Sequence, residues 1–125
     1  MSVSAIDKLD PVIHPKARLG IVTLLAGAES LAFTELKQQL GMTDGNLCVH
    51  LRTLEESGYV SVRKSFVNRK PRTEYSLTPL GREALQSYAE AVVEIVKQAQ
   101  PVEQTRPAAG REARAVLRKG MAPAK

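Results

Sequence analysis

Residues 34–58 read TELKQQLGMTDGNLCVHLRTLEESG. Thr34 stands where an N-cap would, Leu36 and Leu40 fall four apart on one face, and Glu35 and Lys37 point away from it. This predicts a short helix ending near Leu40. Gly41 and Met42 interrupt the pattern. Thr43 is positioned as the next N-cap, and Asp44 follows in a first turn, where the helix dipole favours an anion. Leu47, Leu51 and Leu54 then repeat at four and three, which lays them on one buried stripe. Gly58 marks the C-terminal stop. Two short helices about a glycine-containing turn, the second apolar on one side only, form a helix-turn-helix pattern. An ordinary helical hairpin would look the same, so this stretch alone does not separate the two.

The residues that follow do. Residues 59–63 (YVSVR) alternate apolar and polar, as do residues 73–77 (TEYSL), which predicts two strands with a wet side. Between them residues 64–72 (KSFVNRKPR) read as a basic loop, too long for a tight turn. Between Ser57 and Thr73 there are five basic residues and no acidic one. A helix-turn-helix followed by a hairpin with a basic tip is a winged helix, and that charge directly after the second helix points to nucleic acid.

The whole chain agrees. Its 125 residues suit one domain with a modest core. A single cysteine excludes a disulfide framework and a thiolate zinc site, so no metal and no cofactor is expected. The start lacks the charge and apolar run of a signal peptide, and no stretch approaches membrane-spanning length, so the expectation is a cytoplasmic protein without a membrane partner. The net charge of +5 is unevenly spread: residues 1–100 carry 12 basic and 11 acidic side chains, and residues 101–125 six and two. The wing is therefore basic against a near-neutral body.

In chain order, residues 1–10 read as a flexible, polar lead. Asp10-Pro11 and His14-Pro15 mark a helix entrance, with Pro15 suited to a first helical position. Residues 16–27 are then helical, with Ala17, Ile21, Leu24, Leu25 and Ala28 on one face. Leu19 and Val22 lie off that face, which predicts a second buried side, of the kind a subunit interface would use. Residues 31–33 suit a short strand beside the hairpin. Thr78 caps and Pro79 opens a last long helix running to about Gln100, before Pro101. On it Leu85, Ala89, Val92 and Val96 repeat at four and three, and Tyr88, Val93 and Ile95 widen the stripe. A seam this long exceeds what one small core covers, so it is read as a homodimer interface. Residues 11–100 thus make one domain, and residues 101–125 a basic tail with too little apolar content to fold alone.

The stretches TDGNLCVHLRTLEESGYVSVRKSF and NRKPRTEYSLTPLGREAL resemble the small winged-helix transcriptional regulators of the MarR/ArsR kind. The similarity is greatest to a short stand-alone subgroup whose wing reads K-x-F-x-x-R-x-P-R-T, followed by L-T-x-x-G, and it covers residues 11–97. It implies homodimers on pseudo-palindromic double-stranded DNA that regulate nearby genes. An unidentified small-molecule effector in the groove between the dimer helices is compatible with it. Many relatives carry S-x-H-L in the second helix; here Cys48 replaces the serine and Val49 a site often held by Arg or Gln. The resemblance therefore implies the binding mode rather than the sequence read.

The helical wheel supplies the chemistry independently. Opposite the leucine stripe lie Gly45, Asn46, Val49, Arg52, Thr53 and Glu56. In a major groove Asn46 can pair with adenine and Val49 can pack on a thymine methyl. Arg52 can reach guanine or phosphate, or simply be solvated. Thr43 at the helix N-terminus suits a phosphate, as does His50 on the flank, whose bland alternative is a structural histidine. Lys64, Arg69 and Lys70 are the wing candidates, and Arg72 either joins them or braces the wing base through Glu74. Cys48 reads as a partly buried inert thiol or as a redox switch.

With two histidines, no glycine-rich phosphate loop and no spaced carboxylate pair, nothing fills catalytic roles, and no enzyme is expected. The expectation is a mostly α fold with a small β-hairpin, a winged helix-turn-helix with a C-terminal dimerisation helix, acting as a sequence-specific DNA-binding transcriptional regulator. The alternative is a winged helix that docks on another protein without specific DNA binding.

Overall fold

A computed structural model of the chain describes residues 5–99. In order these form a 3-10 turn (Ala5–Lys8), α1 (Lys16–Ala26), β1 (Leu31–Ala32), α2 (Phe33–Leu40), α3 (Asp44–Glu56), β2 (Val60–Val67), β3 (Lys70–Leu77) and α4 (Pro79–Ala99). The expected architecture forms, helices around a small hairpin. The short strand β1 joins the hairpin through Leu31 opposite Tyr75, giving an antiparallel sheet of order β1-β3-β2. The expected basic tail lies outside the described residues, as does the helix end near Gln100.

Helix α1 is the hub, packed on α2, α3, α4 and β3. Ile21, Val22 and Leu25 have no exposed surface, and Leu19 and Leu24 pack on the same cluster. The second apolar side, expected at a subunit interface, is thus buried within the chain's own fold. A helix with neighbours all round needs apolar residues all round.

The lead expected to stay flexible through residue 10 is packed from Ala5 onward. Ala5 is buried, and its turn lies against α4. Asp10 ties this segment down. Its Oδ1 accepts the Val12 N–H at 2.8 Å, and its Oδ2 accepts the Tyr59 hydroxyl at 2.5 Å. That hydrogen bond, with burial and the negative charge of Asp10 adding to it, pushes the Tyr59 pKa up to about 12. His14 adds a second tie, with Nδ1 2.9 Å from the Tyr88 hydroxyl.

The first helix of the helix-turn-helix begins one residue before Thr34. Pairing of Leu31 and Ala32 with β3 carries the chain in extended form to Ala32, which takes the N-cap position, so Thr34 falls inside the helix. Alanine has no side-chain acceptor. The cap consists instead of Glu35 reaching back to accept the Ala32 N–H at 2.7 Å. The helix ends at Gly41 in the left-handed region (φ 63°), with the Gly41 and Met42 N–H groups both bonded to the Lys37 carbonyl. Across the turn the Lys37 ammonium meets the Asp44 carboxylate at 2.8 Å.

Thr43 caps α3 as expected, its Oγ1 accepting the Asn46 N–H at 3.2 Å. Leu47, Leu51 and Leu54 are the buried residues of α3. The helix stops in a Schellman arrangement at Gly58 (φ 81°): the Tyr59 N–H bonds the Leu54 carbonyl and the Gly58 N–H the Glu55 carbonyl. Thr78 then joins hairpin to last helix. Its hydroxyl donates to the Gly58 carbonyl at 2.6 Å and accepts the Gly81 N–H at 2.9 Å. Gly81 passes so close to the Tyr59 backbone that any Cβ there would collide with the Tyr59 carbonyl oxygen. Glycine is what lets α4 start against the root of the wing.

Candidate nucleic-acid interface

Helix α3 presents three distinct sides besides its buried one. Asn46 and Val49 lie on the open side, and Val49 is 56% exposed. Thr43, Asp44 and Gly45 at its N-terminus are exposed, and a Cβ at Gly45 would meet open space. Thr53 is half-buried and spends its hydroxyl proton on the Val49 carbonyl at 3.2 Å, one turn back. Its hydroxyl therefore keeps only acceptor capacity for a partner.

His50 occupies one flank. Its Nδ1 lies 3.1 Å from Nη1 of Arg18 on α1, and Arg18 Nε donates to the Val12 carbonyl at 2.6 Å. A guanidinium has no acceptor, so Nδ1 must be the acceptor in this pair. A neutral His50 therefore carries its proton on Nε2. Arg18 thus anchors the half-buried ring and leaves an N–H donor on its other edge. Nothing in the sequence singles out Arg18, because it lies 32 residues from its partner on another helix.

The other flank faces the wing. Cys48, Arg52 and Glu55 of α3 line a cleft of about 210 Å³ with Val62 and Lys64 of β2. Cys48 is an exposed free thiol in that cleft, not the partly buried one expected. Arg52 and Lys64 are both exposed and approach the same space from opposite walls.

The wing itself differs from expectation. The sequence pattern ends the first strand at residue 63 and restarts at 73, with a basic loop between. Instead β2 and β3 stay paired to their tips, from Val60 opposite Leu77 to Val67 opposite Lys70. Only Asn68 and Arg69 form the turn, both with positive φ (53° and 68°). Two such residues make the type I′ turn whose twist matches a hairpin. Asn68 tolerates that conformation better than Arg69 does. Pro71 does not interrupt the ladder. Val67 and Lys70 close the turn as a hydrogen-bonded pair, so the next pair, Phe66 and Pro71, is a non-hydrogen-bonded one, and Pro71 lacks an N–H where none is needed.

Arg72 serves the wing base. Its Nε donates to Glu74 Oε2 at 2.6 Å, and Nη2 lies 3.9 Å from Glu35 on α2. Arg63 approaches Glu74 at 3.6 Å from the neighbouring strand. The Arg72 hydrogen bond, partly opposed by desolvation and aided by the charges of Arg72 and Arg63, holds the Glu74 carboxyl below its ordinary value. Of the two sequence readings of Arg72, bracing is the one its contacts show. Among the described residues, Arg52, Lys64, Arg69 and Lys70 make no ion pair. Arg52 and Lys64 thus bring positive charge to the cleft between α3 and the wing, and Arg69 and Lys70 bring it to the wing tip.

On α4 the inward side carries Gly81, Ala84, Leu85, Tyr88 and Ala91. Tyr88 is buried against the body and bonded to His14, so it leaves the outward stripe expected of it, and Leu85 is half-buried against the core. Ala89, Val92, Val93 and Val96 remain exposed, Val93 and Val96 at 54% and 52%. No helix among the described residues is long and apolar enough to cross a membrane, and none of their His, Cys, Asp and Glu side chains cluster as a metal site would require.

Comparison with known proteins agrees with this geometry. The family profile described as winged helix DNA-binding domain matches residues 17–96. An uncharacterized protein of Methanocaldococcus jannaschii is 36% identical over 86 residues, covering 69% of this chain and 94% of that protein. An uncharacterized HTH-type transcriptional regulator of Halalkalibacterium halodurans is 40% identical over 68 residues, 54% of this chain and 59% of that one. Among solved structures, a transcriptional regulator homologue from Pyrococcus horikoshii OT3 superposes with a TM-score of 0.67 at 28% identity, covering 72% of this chain and 89% of that chain. A chain from Enterococcus faecalis V583 described as a transcriptional regulator of the MarR family gives a TM-score of 0.57 at 29% identity, covering 69% and 74%. Three of these four relatives are described as transcriptional regulators or homologues of one.

Proposed function

The chain belongs to the winged helix DNA-binding domain family, and on that premise we propose that it is a homodimeric, sequence-specific transcriptional regulator of double-stranded DNA. Helix α3 enters the major groove, and the wing lies along the adjacent minor groove and backbone. Asn46 and Val49 read base edges. Thr43 and His50 hold phosphates, His50 through the Nε2–H that Arg18 leaves free. Thr53 acts as an acceptor at the edge of the reading face. Arg52, Lys64, Arg69 and Lys70 supply the positive field.

The observation that carries this reading is those four unpaired cations: Arg52 and Lys64 share the cleft beside the polar outer face of α3, and Arg69 and Lys70 stand at the wing tip. A protein-docking module has no need of that excess charge. The exposed stripe Ala89, Val92, Val93 and Val96 supports a dimer through α4, which would set two half-sites about 10 bp apart on one face of the duplex.

Titration of the protein into a pool of random duplexes at low salt is the direct test, followed by selection of the tightest sequences. Binding that weakens steeply with salt, with a selected sequence of two-fold symmetry, is expected. No binding at low salt would refute the DNA reading. For assembly, Val92→Glu with Val96→Glu should give folded monomers by sedimentation. A wild type already monomeric at micromolar concentration would remove the dimer from the proposal.

A further inference from the structure

The chain has two phenylalanines, and they are used in opposite ways. Phe33 packs against the core, its ring 6.5 Å from that of Tyr75. Phe66, on the distal half of β2, is 75% exposed. Its partner across the hairpin is Pro71, in the non-hydrogen-bonded pair where facing side chains approach most closely. The two form a single apolar facet near the wing tip.

Strand alternation places Phe66 on the same face as Val62 and Lys64, which line the cleft beside α3. At about 3.3 Å per residue it lies about 13 Å further out along the strand than Val62. Lys64 shares its face, and Arg69 and Lys70 stand at the adjacent tip, Lys70 on the opposite face of the hairpin; none has an ion pair, and residues 61–73 contain no acidic side chain. An exposed aromatic ring on a hairpin adds nothing to the monomer's core and invites association. The surrounding charge says what covers it: a polyanion that also offers an apolar wall.

We propose that Phe66, backed by Pro71, is an apolar contact to DNA, its ring lying against the deoxyribose walls of the minor groove while Lys64, Arg69 and Lys70 engage the flanking phosphates. The proposal rests on the DNA-binding reading above and adds to it a part of the affinity that salt does not screen. Sugar C–H edges line the minor groove, and apolar side chains are a recurrent device for occupying it. The ring carries no charge and displaces no counterion, so its share of the affinity leaves the salt slope alone.

The test uses the full chain and a duplex selected by the wild type from a random pool. Phe66→Ala should bind about tenfold more weakly at every salt concentration, with the slope against log salt unchanged. Phe66→Leu should recover most of the affinity. Hydroxyl-radical footprinting, which reads the exposure of deoxyribose, should lose protection in Phe66→Ala only where the wing lies. Protection of major-groove guanines should persist. Thermal unfolding of Phe66→Ala should match the wild type, since the ring is not packed.

Wild-type affinity and sugar protection in Phe66→Ala would overturn the proposal while leaving DNA binding intact. A fall in salt slope equal to that of Arg69→Ala with Lys70→Ala would also overturn it, because the substitution would then merely displace the cations. A change in oligomeric state with unchanged DNA affinity would assign the facet to a second copy of the chain. A wild type that binds no duplex at all sinks both this contact and the function it rests on.

Discussion

Helix α3 and the distal wing face the same cleft under opposite structural constraints. On α3 every turn has a buried leucine, and Leu47 and Leu54 are fully enclosed. Its exposed residues are therefore held in place by a packed scaffold, as a reading element needs. The wing beyond Val62 and Tyr75 has no such backing: Lys64, Phe66, Val67 and Lys70 are exposed or nearly so, and both strands continue only because they pair with each other. Residues there are not explained by the core, so their chemistry is read most directly as binding chemistry. A substitution on the buried side of α3 should register first as reduced stability, and one on the distal wing as reduced affinity.

The largest effect expected from this contrast is at Leu51. Leu51→Ala should destabilise the chain by about 2–5 kcal/mol, the usual cost of an enclosed leucine cavity. Val67→Ala on the wing should stay within about 0.5 kcal/mol, as substitutions at open surface sites do. Denaturant titration of both variants measures the difference. Comparable destabilisation at the two sites would mean that the wing is part of the cooperative core after all.

Next comes the joint that holds the two regions together. Gly81→Ala puts a methyl group against the Tyr59 carbonyl, a backbone group with little room to yield, and against the Leu77 side chain. A cost of about 1–3 kcal/mol is expected. Hydrogen exchange should speed up at the N-terminus of α4 and around residues 58–60, while amides of α3 near Leu47 keep their relative protection. Uniform loss of protection across α3 would show that no separate joint exists.

The binding surfaces should divide in the same way. Asn46→Ala is expected to cost about 1–3 kcal/mol on a selected duplex and relax preference at one base position. Arg69→Ala with Lys70→Ala should weaken selected and scrambled duplexes alike, and lower the salt slope by about 0.9 for each phosphate left without its cation. Titrations at several salt concentrations distinguish the two patterns. If the wing variant altered base preference and Asn46→Ala did not, reading and holding would be exchanged between the elements.

The same contrast explains what could be read from the residues. Leu47, Leu51 and Leu54 announce α3 because one-sided burial imprints a period on the sequence, and Thr43 and Gly58 bracket it with local chemistry. The outer half of the wing has two wet faces and hence no such imprint, so residues 64–72 look like a loop. Their turn is Asn68-Arg69 rather than the Asn-Gly that flags a tight hairpin. Long-range partners are equally invisible in the sequence. Pairing of β1 with β3 moves the start of α2, α1 uses its second apolar side inside the fold, and a hydrogen bond to His14 draws Tyr88 inward from a stripe to which its spacing assigns it. Among site residues, Asn46 and Val49 are legible from the wheel, whereas the Arg18 that orients His50 leaves no local signal.

The smallest effect belongs to the brace at the wing base, where scaffold and binding element meet. Arg72 links β3 to α2 through Glu74 and Glu35, and its hydrogen bond holds the Glu74 carboxyl below the ordinary 4.5. A carboxyl whose folded-state pKa is depressed favours folding when ionised. Its contribution is fully present above the unfolded value and disappears as the pH falls through the lower, folded one. At neutral pH the brace is therefore intact, and below pH 4.5 it progressively releases. Because Glu74 lies near the surface, the global unfolding midpoint should barely register this step. The wing should register it locally: in acid, amides of residues 72–74 should exchange faster in the wild type, whereas Glu74→Gln should already exchange fast at neutral pH and show no further change. NMR titration of the Glu74 carboxyl carbon supplies the decisive midpoint. A midpoint at or above 4.5, or a Glu74→Gln wing as protected as the wild type at neutral pH, would remove Arg72 from the brace and return it to the cations free to meet DNA.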